Sequence, residues 1–258
     1  MYSIKIECDG LLNRCLRRDR DMIQKEYQLI LKDVVSAFTE EFTTALDSFY
    51  VYGSVAKGNA VVGQSDLDIC VVFKHDIQSL DLKIAEIKQS LIVRYSYIPK
   101  IDVDIGYLKE VLDEKNKKRW GAWLKFFCTN IYGRDLTHFF QEIMIDREVI
   151  QAINQGYDEE IHTYFALLNL NQGAEKEMLH LKKSLIKRMI RLLPLTMRHI
   201  EEWPLALNDT IDQTVQVYPQ QKDRLYFLLQ ELDKPTLTNV ISLNRLRETY
   251  VWIEAHLL

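Results

Sequence analysis

A chain of 258 residues can bury a sizeable core as one large domain or two smaller ones, and 47% hydrophobic with 27% charged residues excludes a disordered polymer. Its 33 Lys+Arg against 37 Asp+Glu leave a net charge of −4, which argues against a nucleic-acid partner held by bulk charge, and no apolar run approaches the ~18 residues of a membrane span. Cys8, Cys15, Cys70 and Cys128 have no CxxC spacing, and the arginine-rich start (Arg14, Arg17, Arg18, Arg20) has no apolar signal-peptide core, so the expectation is a cytoplasmic protein with reduced thiols.

Apolar residues at helical spacing predict a long amphipathic helix over Asp21–Leu46. Phe49–Tyr52 is a short strand cut by Gly53, and Leu67–Phe73 is a second. Leu80–Tyr95 reads as a helix, and Pro99 ends that region. Ile101–Ile105 alternates strictly and is a third strand. Leu108–Phe127 reads as helical, with a basic patch at Lys115, Lys117, Lys118 and Arg119. Beyond Leu136 only helices are expected: 136–154, 158–170, 174–193, 200–217, 222–232 and 243–257, broken at Gly156, Gly173, Pro204, Pro219 and Pro235. The pattern is an α+β domain over 1–135 followed by an all-helical domain over 136–258. Residues 1–135 hold 20 basic and 20 acidic side chains and residues 136–258 hold 13 and 17, so the excess acid lies on the helical half.

Glycine is scarce, at 9 residues, yet Gly53, Gly58 and Gly63 fall close together. Glycine serves where backbone turns tightly or approaches a ligand. There the chain reads Gly53-Ser54-Val55-Ala56-Lys57-Gly58, then Ser65-Asp66-Leu67-Asp68. A strand ends at Gly53 and a short helix begins at Ser54, so its free N–H groups and the Ser54 hydroxyl can meet a phosphate. The helix dipole adds only ~0.3–1 kcal/mol when exposed, so more charge is needed. Side chains two apart on a strand share a face. Asp66 and Asp68 therefore point to one spot, where a Mg²⁺ bridging them to phosphate oxygens offsets their repulsion. Asp102 and Asp104 repeat the arrangement, with Ile101, Val103 and Ile105 turned the other way. A third carboxylate beside the pair is what a two-metal site requires.

This run resembles the signature of the DNA polymerase β-like nucleotidyltransferases: Gly-Ser, a variable loop, then Asp-x-Asp. It is similar to that of the aminoglycoside adenylyltransferases and minimal nucleotidyltransferases. Ile131-Tyr132-Gly133-Arg134-Asp135-Leu136 also resembles a phrase near the end of such domains. A catalytic domain followed by helices resembles the streptomycin/spectinomycin enzymes. The resemblance implies a small mixed sheet flanked by helices, with a helical bundle completing the nucleotide and acceptor cleft. It implies Gly53 and Ser54 at the triphosphate and Asp66 and Asp68 as ligands of Mg²⁺. Asp104 is favoured as the third ligand, though Asp102 shares its face, and either would be the general base. Lys57 in the loop is a further phosphate candidate. So are Lys183 and Lys187, which with Arg191 form a cationic stripe at helical spacing with no acid three or four residues away on the same helix.

The implied reaction is transfer of a nucleoside monophosphate, AMP from ATP, to an acceptor hydroxyl. The acidic helical half favours a cationic, aminoglycoside-like small molecule, which would make antibiotic resistance a role, over a protein or nucleic-acid acceptor. The alternatives are a protein-AMPylating, antitoxin-like enzyme and a nucleotide-binding regulator without turnover. The six histidines show no metal spacing, and the tryptophans read as packing.

Overall fold

The computed structural model describes residues 20–140, 143, 146–170, 172–198, 206–236 and 239–257. The chain divides into two compact units, Met1–Met144 and Ile145–Leu258. Leu136 and Phe140 pack with Tyr50, Cys70 and Trp120, which carries the first unit past residue 135.

The first unit is built on four strands: β1 (Leu46–Tyr52), β2 (Leu67–Phe73), β3 (Ile101–Tyr107) and β4 (Thr129–Gly133). Their order is β3-β2-β1-β4, with β2 and β3 parallel and the other neighbours antiparallel, so the sheet is mixed, as expected. Helix α1 (Lys25–Phe42) is shorter than the expected 21–46 because the chain turns into β1 at Leu46. The four-residue α2 (Gly53–Ala56) follows β1, and α3 (Leu80–Arg94) joins β2 to β3. One sheet face carries Phe49, Val51, Leu67, Ile69, Val71 and Phe73, packed against Tyr27, Ile30, Val34 and Phe38 of α1. The other carries Tyr50, Cys70 and Val72 under Trp120, Leu124, Leu136 and Phe140.

The single helix expected over Leu108–Phe127 is instead broken. Helix α4 (Leu108–Val111) stops, a turn at Glu114–Asn116 follows, a π turn spans Lys117–Gly121, and α5 (Ala122–Phe127) resumes. The Asp113 carboxylate accepts from Lys115 N–H (2.9 Å) and Asn116 donates to the Glu110 carbonyl (3.1 Å). Short polar side chains thus offer the backbone partners outside a helix. The extra residue of the π turn seats Trp120 in the core, where its indole N–H reaches Glu110 at 3.1 Å.

Strand β4 was not expected. It is short, on the sheet edge, and partly exposed, so it has neither the length nor the alternation that marks a strand. Its register is fixed by the phrase that follows. Gly133 sits at φ +74°, and a Cβ there would strike the Asp47 carbonyl. Arg134 holds the Asp47 carboxylate, whose side chain is 1% exposed, with Nε at 3.2 and 3.0 Å from its two oxygens. Ser48 donates to the same carboxylate at 2.7 Å. The phrase Ile131–Leu136 is therefore a clamp between β4 and the start of β1.

The second unit packs around α8 (Glu175–Leu192). Its Leu185, Ile186, Met189 and Ile190 meet Ile161, Phe165 and Leu168 of α7 (Tyr157–Leu170). They also meet Ile211 of α9 (Leu207–Val217), Leu225 and Leu228 of α10 (Lys222–Asp233), and Leu246 and Ile253 of α11 (Val240–His256). The helix expected over 136–154 is corrected to a turn at Leu136–Phe139 and α6 (Arg147–Ile153), which starts only where the Asp146 carboxylate caps Val149 N–H (2.8 Å). Of the helix expected over 200–217, residues 200–205 lie outside the described residues. Among the described residues no helix is long and apolar enough to cross a membrane.

Replacing Arg134, whose side chain is itself half exposed, with Ala leaves the buried Asp47 carboxylate with the Ser48 hydroxyl but without its cation, which costs about 1–3 kcal/mol. Arg134→Lys should restore only part of it, because a point charge replaces the planar fork. Chemical denaturation measures both; an Arg134→Ala midpoint matching the parent would rule out the clamp.

Candidate active site

Strand direction decides where the motif residues gather. Because β1 runs antiparallel to β2, its exit at Tyr52 lies at the same sheet end as the starts of β2 and of parallel β3. The register confirms the row: Tyr52 lies opposite Asp68, and Asp68 opposite Asp102. One step inward, Tyr50, Cys70 and Asp104 form the next row. Alternation puts all of these on the face shared with Trp120.

Gly53 makes the turn out of β1 at φ +70°, and a Cβ there would overlap the Asp68 carboxylate. The turn thus needs glycine both for its left-handed backbone and for the close approach of Asp68. Ser54 follows in α2 and is half-buried. Lys57 closes α2, its N–H bonded to the Gly53 carbonyl at 3.2 Å. Gly58, at φ +69°, packs its backbone against the Met22 carbonyl, which anchors the loop beyond α2.

Asp66 and Asp68 are half-buried. Asp102 pairs with Lys100 at 2.7 Å, and Asp104 accepts the Tyr52 hydroxyl at 2.5 Å. Asp68, Asp102 and Asp104 share one face and one sheet end, and Asp66 lies in the loop just before β2. Three of these oxygens do not meet within 4.8 Å, and among the described residues the sole trio of metal-ligating side chains that does is Asp158, His162 and Glu254. Asp104 reaches solvent, yet the protein around it removes enough water to raise its pKa. The Tyr52 hydrogen bond and the Arg119 guanidinium pull it back down, and Asp102 pushes it up. Burial raises the Tyr52 hydroxyl, and Asp104, Asp68 and Asp102 raise it further. Buried Cys70, beneath Asp104, is likewise raised, first by burial and then by that carboxylate.

Three neighbours of this site escaped the sequence reading. Tyr52 read only as the last residue of a strand, but its hydroxyl binds Asp104 and its ring meets Trp123 edge-on at 5.3 Å. Lys100 has no motif, only its place before β3. Arg119 belongs to the basic patch without an assigned role, and the π turn brings its charge within reach of Asp104. Lys183 is half-buried and Lys187 exposed on α8, in the second unit.

The donor set, carboxylate oxygens on one face with a glycine turn against one of them, suits a hard divalent cation such as Mg²⁺. Residues 31–125 match the model of the nucleotidyltransferase domain family. No curated protein matches the chain. This stretch is a nucleotidyltransferase domain of the DNA polymerase β-like kind, and the protein is an enzyme of the nucleotidyltransferase class. Its fold is similar to that of spectinomycin adenyltransferase AAD(9) from Enterococcus faecialis, whose crystal structure holds ATP and spectinomycin. The two are 17% identical, the match covers 89% of this chain and 98% of that one, and the TM-score is 0.57.

The raised Asp104 carboxyl has a stability consequence. Between its unfolded and folded pKa the folded chain binds more protons than the unfolded one, so this group's contribution falls as pH rises through that interval. Asp104→Asn removes the titration while its amide oxygen still accepts from Tyr52. In chelator-treated protein the melting-temperature advantage of Asp104→Asn over the parent should be larger at pH 7 than at pH 4. An advantage that is flat or shrinks with pH would overturn the assignment.

Proposed function

We propose that this enzyme transfers AMP from ATP to a hydroxyl of a small, cationic, aminocyclitol-type acceptor and releases pyrophosphate. The observation that carries the reading is the single sheet end shared by the Gly53-Ser54 turn and the carboxylates of β2 and β3. In this reading the α2 N–H groups and the Ser54 hydroxyl bind the triphosphate, with Lys57 beside them. Two Mg²⁺ would be held by Asp66, Asp68 and Asp104. Bound there, the metal supplies charge compensation for the triphosphate and acidity for the acceptor hydroxyl.

The acceptor oxygen attacks the α-phosphorus, the bond from that phosphorus to the bridging oxygen of pyrophosphate breaks, and the hydroxyl proton passes to Asp102 or Asp104. Asp104 is the better third ligand because Lys100 already engages Asp102. Tyr52 binds one oxygen of Asp104 and holds the side chain in place. Lys183 and Lys187 on α8 are the helical unit's own candidates for binding phosphate. The acceptor class rests on the charge of the helical half and on the spectinomycin bound by the similar enzyme.

Purified protein with ATP, Mg²⁺ and a panel of aminocyclitols should release pyrophosphate only when an acceptor is present. Asp66→Asn and Asp68→Asn should each lower that rate by about 10²-fold or more, with circular dichroism unchanged. Full activity in either variant would overturn the site. Acceptor-independent silence across the panel, with ATP still bound, would overturn the acceptor class.

A further inference from the structure

The second unit carries a cluster with no part in the site above. Asp158 stands in the first turn of α7, and His162 lies one turn further on the same face. Glu254 reaches them from α11, far along the chain. One oxygen from each carboxylate and one imidazole nitrogen all lie within 4.8 Å of one another. All three side chains are exposed.

Their internal contacts are weak as stabilisation. The His162 Nε2 to Asp158 Oδ1 contact is 3.1 Å between side chains 64% and 57% exposed. Such a surface pair contributes about 0–1 kcal/mol, and it leaves Glu254 beside a second carboxylate. Two carboxylates and a neutral imidazole carry a charge of −2, which a divalent ion cancels. The buried Tyr250, one turn before Glu254 on α11, donates its hydroxyl to Asp158 Oδ1 at 2.9 Å. Its ring meets His162 edge-on at 5.9 Å. Metal-ligating carboxylates are commonly oriented by an outer partner of this kind.

We propose that Asp158, His162 and Glu254 form a divalent transition-metal site, with Zn²⁺ the fitting ion, that clamps α7 to α11. The imidazole selects against Mg²⁺, and one nitrogen with two carboxylate oxygens suits Zn²⁺ at about 2.0–2.2 Å from each ligand. The two helices already meet beside the cluster, where the Phe165 and Tyr250 rings lie 6.0 Å apart. Solvent completes the coordination, so the site would be a structural staple open to water.

The test is Zn²⁺ titration of the full, chelator-treated chain by calorimetry, with excess Mg²⁺ present to occupy the aspartates of the first unit. The expected result is one Zn²⁺ per chain and a raised melting temperature, since binding to the folded state alone stabilises it. His162→Ala and Glu254→Gln should each weaken binding by at least about tenfold, while Asp66→Asn leaves it unchanged. Both altered residues are exposed, and unchanged melting of the metal-free variants verifies folding. A visible Co²⁺ absorption band that His162→Ala abolishes is the second readout. No binding tighter than about 100 µM, or binding that survives both substitutions, would overturn the proposal.

Discussion

The close approach of Gly53 to Asp68 is the constraint on which the candidate site turns. A strand must end, reverse into a helical turn and still leave room for a carboxylate from the next strand. Only a residue without a Cβ and tolerant of φ +70° does this. That one contact brings the Gly53-Ser54 turn to the Asp-x-Asp pair. The antiparallel pairing of β1 with β2 then places Tyr52 beside Asp68, and the parallel pairing of β2 with β3 adds Asp102 and Asp104. Reversing either pairing would send one set of groups to the far end of the sheet.

Collecting four carboxylates at one sheet end is unfavourable in itself, and the surroundings show how the charge is managed. Lys100 pairs with Asp102, the Tyr52 hydroxyl serves Asp104, and Arg119 adds positive charge from the π turn. These three are not interchangeable. Lys100 neutralises, Tyr52 supplies a neutral donor that fixes an oxygen, and Arg119 acts through its field. The broken path from α4 to α5 follows the same logic. A continuous helix over 108–127 would lack the π turn, which lets Trp120 fill the core while Arg119 stays exposed.

Elements with one strong periodic signal were legible in the sequence. Leu67–Phe73 was found to the residue, and β3 was found at its start because Ile101, Val103 and Ile105 alternate with Asp102 and Asp104. Helices α7, α8 and α10 came within a residue or so of their bounds. What failed was structure held by distant partners. Strand β4 exists because Gly133 fits against Asp47 and Arg134 binds a buried carboxylate 87 residues away, and no local pattern announces either. The site divides the same way. Asp66, Asp68, Asp102 and Asp104 show themselves through spacing, whereas Tyr52 gains its hydrogen bond only through strand register. His162 likewise has a local partner in Asp158, but Glu254 joins them only in three dimensions.

Helix α8 shows why a row of like charges in sequence must be resolved by helix rotation before it means anything. Lys182 and Lys183 are neighbours, separated by ~100° around the axis. Lys182 is fully buried, pairs with Glu231 at 2.6 Å and donates to the Thr236 carbonyl at 3.1 Å. Thr236 in turn donates to Glu231 at 3.0 Å. Every charge in that network is paired, as burial demands. Arg188 turns to Glu160 of α7 at 2.8 Å. These two cations therefore serve the helical unit itself. The outer row of Lys183, Lys187 and Arg191 sits on another face, with Lys187 and Arg191 exposed. A phosphate-binding role for this helix must rest on that outer row, because the inner cations are committed to holding α8 against its neighbours.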